Sequence, residues 1–177
     1  VPPRILIVTN RIPHPLTDGG AMAMDAMISG YHEAGWEVFL LAMNTSRHYV
    51  DAATRAGLYR QLYAFETVAV DNRVRPWPVI RNLVFHRAPE HADRFWSTVF
   101  RERLQSALRS FRPHVVQFES IYLNIFRDVV RTNSNALLVQ RLHNIEGQIW
   151  ERLAAKSRHP LKRWYLHNLA GRIQRFE

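Results

Sequence analysis

Apolar positions along the chain switch repeatedly between two spacings. Residues 4–9, Arg4-Ile5-Leu6-Ile7-Val8-Thr9, form a short β-branched run between Pro3 and Asn10, the pattern of a strand buried on both faces. From Ala21 the spacing becomes helical: Met24, Met27, Ile28 and Tyr31 fall at i, i+3, i+4 and i+7, and Gly35 supplies a stop. Residues 37–43, with Val38, Phe39, Leu40 and Leu41, predict a second strand and complete a βαβ unit with a right-handed crossover. The alternation continues with helix over 49–63 and strand over 66–70. Helix over 91–112 places Trp96, Phe100, Leu104, Leu108 and Phe111 on one stripe before Pro113. Strands over 115–118 and 136–140 flank a helix over 122–131, and helices over 145–155 and 161–176 follow. Five strands separated by helices predict an α/β fold: a Rossmann-like open parallel sheet with helices on both faces, three layers deep.

Composition narrows the reading. A chain of 177 residues, 47% of them hydrophobic, can bury one sizeable core, so residues 1–177 are expected to form a single domain. Lys and Arg number 24 against 15 Asp and Glu, a net charge of +9, and Lys156 and Lys162 are the sole lysines. An arginine-borne excess suits phosphate-bearing partners. Without cysteine there is no disulfide, thiolate zinc site or cysteine nucleophile. No run approaches the roughly 18 apolar residues of a membrane-spanning helix, and the start lacks a signal peptide's apolar region, so a cytoplasmic location is expected. Between Arg73 and Arg87, four arginines (Arg73, Arg75, Arg81, Arg87) are interleaved with Trp77 and aliphatic residues and with no acidic residue. Such a stretch suits either peripheral contact with an anionic membrane or a solvated loop packed on the core.

In an open α/β sheet ligands gather past the carboxyl ends of the strands. The loop after the first strand runs from Asn10 through Arg11 and two prolines, Pro13 and Pro15, to Asp18-Gly19-Gly20 and opens a helix. Paired glycines there let a backbone approach a ligand, and the helix start offers unpaired N–H groups to an anion; the same residues also suit a plain turn with an N-cap. The dinucleotide G-x-G-x-x-G and the G-x-x-x-x-G-K-[ST] phosphate loop are both absent. The fourth strand ends in Phe118-Glu119-Ser120 and the fifth in Arg141-Leu142-His143-Asn144-Ile145-Glu146. His143 can exchange a proton or hydrogen bond with a substrate hydroxyl near neutral pH. Glu146 suits the first turn of a helix, where a carboxylate caps as readily as it catalyses.

The leading strand, the loop RIPHPLTDGGAMAM, the GWEVFLL second strand and the fifth-strand exit RLHNIEG together resemble family 4 glycosyltransferases. These are retaining enzymes of the two-domain GT-B fold, and the likeness covers the whole chain as their N-terminal, acceptor-side domain. It implies a nucleotide-diphosphate sugar as donor, a glycan or lipid-linked acceptor, and no required metal. By this resemblance Gly19 and Gly20 admit the donor diphosphate and sugar, flanked by Asn10 and Asp18. His143 contacts the transferred sugar as the catalytic residue, with Arg141, Asn144 and Glu146 beside it. Glu119 matches by position alone. Nothing in the chain matches the family's donor-binding C-terminal domain with its E-x(7)-E pattern, so these residues alone are expected to lack turnover. The alternatives are a freestanding anion- or nucleotide-binding Rossmann-like domain without catalysis and a nucleic-acid module. The second lacks helix-turn-helix spacing, zinc ligands and RNP-type aromatics, and no nucleic-acid partner is expected.

Overall fold

The computed structural model describes residues 1–73, 94–142 and 146–176. Five parallel strands, β1 (Arg4–Thr9), β2 (Glu37–Thr45), β3 (Ala64–Val70), β4 (Val115–Phe118) and β5 (Leu137–Gln140), form one sheet in the order β3-β2-β1-β4-β5. Successive residues of β1 face opposite layers. Leu6 and Val8 join Phe39, Leu41, Val116 and Phe118 on one face, while Ile5 and Ile7 join Val38 and Leu40 on the other. The first face is covered by α3 (Thr98–Phe111), a 3₁₀ segment (Ile121–Phe126) and α4 (Arg127–Asn133), through Phe100, Leu104, Phe111, Phe126 and Val130. The second is covered by Ile28 and Tyr31 of α1 (Gly19–Glu33) and by Tyr59 and Leu62. Each large side chain so buried contributes about 1.5–3 kcal/mol relative to exposure, so the central strands are held from both sides. This is the three-layer, Rossmann-like arrangement that the sequence predicts. Helices α5 (Glu146–Lys156) and α6 (Pro160–Phe176) pack chiefly on each other, burying Ala154, Leu166, Leu169, Ala170 and Ile173.

Local competition moves several boundaries. The helix expected over 49–63 shrinks to α2 (Ala52–Gly57), capped by Asp51; Tyr59 takes a left-handed φ of 53°, which ends any helix. The third strand begins two residues earlier than expected, at Ala64. The helix expected from residue 91 begins at Thr98, because the Ser97 hydroxyl accepts from Phe100 N. Trp96 therefore leaves the helical stripe and stacks on Phe126, ring centroids 5.3 Å apart. At the other end of α3, Arg112 turns the chain in a left-handed conformation ahead of Pro113. The helix expected over 122–131 divides into the 3₁₀ segment and α4. Of the basic stretch, Arg73 alone is described; Arg75, Trp77, Arg81 and Arg87 lie outside the described residues. Among the described residues no helix is long and apolar enough to cross a membrane.

Candidate functional site

The strand order reverses at β1, whose neighbours β2 and β4 lead in opposite directions, and a cleft of about 290 Å³ opens past the carboxyl ends there. Asn10, Arg11, Asp18 and Gly20 line it from the first loop, Thr45, Arg47 and His48 from the end of β2, and Asn72 from the end of β3. Arg94, Phe95, Glu119, Ser120 and Tyr122 close the other side.

At the start of α1, Asp18 is the N-cap: its Oδ1 accepts from Ala21 N at 3.0 Å. Both its oxygens also take the guanidinium of Arg11, at 2.8 and 2.5 Å. That guanidinium and the Ala21 amide hold the Asp18 carboxyl well below the usual carboxylate range. The glycine pair divides into two roles. A Cβ on Gly20 would sit 3.1 Å from Arg11 Nη2 and 3.2 Å from Asp18 Oδ1, so this glycine makes room for the ion pair as well as bordering the cleft. A Cβ on Gly19 would meet nothing within 4 Å.

Beneath the cleft lies a chain of polar contacts. Glu119 is fully buried. One of its carboxylate oxygens accepts from Gln117 Nε2, whose own Oε1 accepts from Tyr31 Oη at 3.0 Å. The other accepts from Arg141 Nη1 at 2.9 Å, and the same nitrogen donates to Ala23 O at 3.0 Å. Arg141 thereby fastens the exit of β5 to α1, while its backbone N–H donates to Phe118 O. Glu119 is thus engaged on both oxygens, and Arg141 holds the segment leading to residue 143 rather than lining the cleft. His143 and Asn144 lie outside the described residues; Glu146 begins α5.

The rim is positive. Arg11, Arg47 and Arg94 face Asp18 and Glu119, and Glu119 is neutralised from below by Arg141. His48 reports this field: burial first, then the charges of Arg11 and Arg47, lower its pKa from 6.5, against an opposing pull from Asp18. Arg94 lies over the rings of Phe95 and Tyr122, 5.0 and 6.0 Å from their centroids, and those rings stack on each other at 5.5 Å. The loop carrying Arg47 and His48 is pinned by Asn44, whose carboxamide both donates to Val50 O and accepts from Val50 N, each at 2.9 Å. Two polar groups in the cleft wall, Thr45 Oγ1 and Asn72 Oδ1, have no hydrogen-bond partner among the described residues; their residues are 0% and 8% exposed. Among the described residues no His, Asp and Glu side chains are grouped as metal ligands.

The first, fourth and fifth strand-end loops supply the site residues read from the sequence. Thr45, Arg47, His48 and Asn72 were not among them; they follow β2 and β3, where no glycine pair or polar cluster marks the sequence. The available signal was topological, since every parallel strand ends on the same edge. Compared with known protein families and with curated proteins, the chain matches none.

Proposed function

We propose that this chain is the acceptor-side domain of a nucleotide-sugar-dependent retaining glycosyltransferase acting in polysaccharide, glycolipid or other cell-envelope glycan synthesis. The observation that supports it is the arginine-lined cleft at the strand-order reversal, bordered by Gly20 at the start of α1. A helix start and arginines attract a diphosphate, while polar wall groups suit sugar hydroxyls. In this reading the donor nucleotide is held mainly by a second domain facing the cleft. His143 orients the transferred sugar, and the Glu119–Arg141 pair positions the segment that carries it. The departing diphosphate, stabilised electrostatically, accepts the acceptor's proton.

The test uses the polypeptide encoded by the whole reading frame, incubated with a panel of labelled nucleotide sugars and assayed for nucleoside diphosphate release and for the anomeric configuration of the product. Transfer with retention is expected. His143→Ala is expected to lower turnover by about 10²-fold or more with little change in melting temperature. Equal loss of activity and stability would return His143 to a structural role. Anion binding without any sugar transfer would favour a freestanding binding domain. Residues 1–177 alone are expected to be inactive, and robust transfer by them would overturn the two-domain reading.

A further inference from the structure

Beyond the start of α1 the cleft continues into a second depression of about 280 Å³, lined by Ser46, Arg47, Asn72, Arg73 and Arg94. Arg47, Asn72 and Arg94 belong to both. Three arginines thus line one depression with the Asn72 carboxamide, Arg47 and Arg73 following β2 and β3 and Arg94 preceding α3; neither Gly19 nor Gly20 lines it. The acidic side chain of this corner, Asp71, is engaged: its Oδ1 accepts from Ser46 Oγ at 2.9 Å and Arg73 N at 3.2 Å, and Arg73 Nε lies at 3.9 Å. Among the described residues that line the depression the charged side chains are all arginines, and an anion would be drawn here.

Charge alone does not describe the ligand. Among the described residues Asn72 Oδ1 accepts from none although the residue is nine-tenths buried, and Thr45 Oγ1, in the wall of the same cleft, is likewise unpartnered. A buried carbonyl oxygen without a donor carries a desolvation cost that a ligand donor would relieve. The terminal torsion of Asn is broad, so a small rotation turns the carboxamide toward the cleft. A carboxylate or a sulfate has no hydrogen to give that oxygen; a sugar hydroxyl has. The two requirements meet in a ligand that carries an acidic group and hydroxyls together.

Resting on the reading of this cleft as an acceptor site, we propose that Arg47, Arg73 and Arg94 form a subsite for the acidic group of a sugar residue in the acceptor, with Asn72 and Thr45 receiving its hydroxyls. A uronate carboxylate and a sugar phosphate ester share this chemistry.

The test is ligand-detected NMR and calorimetry on the 177-residue chain with four probes: D-glucuronate, D-glucose 6-phosphate, D-glucose and inorganic sulfate. At least one acidic sugar is expected to bind about tenfold or more tightly than both D-glucose and sulfate, and which of the two does so identifies the acidic group. The exposed Arg47→Gln and Arg73→Gln are each expected to remove about a factor of ten of that affinity without shifting the melting temperature. Sulfate binding as tightly as the acidic sugars would overturn the hydroxyl half, and glucose binding equally well would overturn the charged half. Affinity unchanged in both arginine variants, or no binding by any probe, would overturn the proposal. Failure of the glycosyltransferase reading is separable from this. Sugar transfer confined to neutral acceptors would remove the acidic subsite and keep the enzyme, whereas acidic-sugar binding without turnover would do the reverse.

Discussion

Removing either partner of the Glu119–Arg141 pair should be costly, but unequally so. Glu119 is fully buried and Arg141 retains 28% of its side-chain exposure, their atoms 2.9 Å apart. Arg141→Met leaves a carboxylate in the interior without its cation, and losing one partner of a buried pair typically costs about 3–5 kcal/mol. Glu119→Leu instead removes the buried charge. It strands the Gln117 amide, a loss of about 1–3 kcal/mol, while the freed guanidinium can turn toward water. The double variant should lose less than the sum of the two, because the stranded carboxylate is gone, with a coupling of about 1.5 kcal/mol or more. Urea denaturation of the four proteins, with unchanged slopes to establish two-state behaviour, gives the cycle. An Arg141→Met cost below about 1 kcal/mol, or additivity within about 0.5 kcal/mol, would refute the idea that the pair fastens β5 to the sheet's switch point.

Further outcomes concern the cleft and the helix ends. Asp18 has a folded-state pKa below its ordinary 3.8, so the stability it contributes is complete above that value and is lost as pH falls below it. Asp18→Asn should remove this part of the acid limb in urea midpoints compared between about pH 5 and pH 3, and an unaltered limb would count against the Arg11 pair. Gly19→Ala should raise stability by about 0.4–1 kcal/mol, whereas Gly20→Ala, crowded against that pair, should gain less or lose; the opposite ranking in thermal melts would contradict the packing. Arg112 sits exposed at φ 49°, and Arg112→Gly should stabilise the end of α3 by about 0.5–1 kcal/mol, read as a higher urea midpoint. Phosphate entering the cleft should raise the depressed pKa of His48 by offsetting Arg11 and Arg47, while chloride at equal ionic strength does so less; an NMR titration unaffected by phosphate would argue against anion binding there.

The central strands were legible because burial on both faces writes a continuous apolar run, as in Ile5 to Val8, and no competing pattern produces one in so few residues. Helix limits were less so. Trp96 keeps helical spacing with Phe100 yet precedes the cap at Ser97, and nothing in the spacing around Tyr59 announces a left-handed residue. For the site, Asp18-Gly19-Gly20 and Glu119 stood out because glycine pairs and strand-end carboxylates are rare signals. Arg47 and His48 owe their place to Asn44, which reads as one more residue near a strand end until its carboxamide is seen holding Val50. Asn72 is visible only as a consequence of β3 running parallel to β2.

Asp18 also alters what it means for an anion to arrive at α1. The start of that helix is not vacant: a carboxylate of the protein's own already holds the Ala21 amide and the Arg11 fork. An incoming group must therefore displace it or share it, and its apparent affinity is the difference between two similar attractions. Monovalent anions gain little from such an exchange. A diphosphate, with more charge and more oxygens than the resident carboxylate, gains most, so the helix start discriminates by valence before any sugar is recognised.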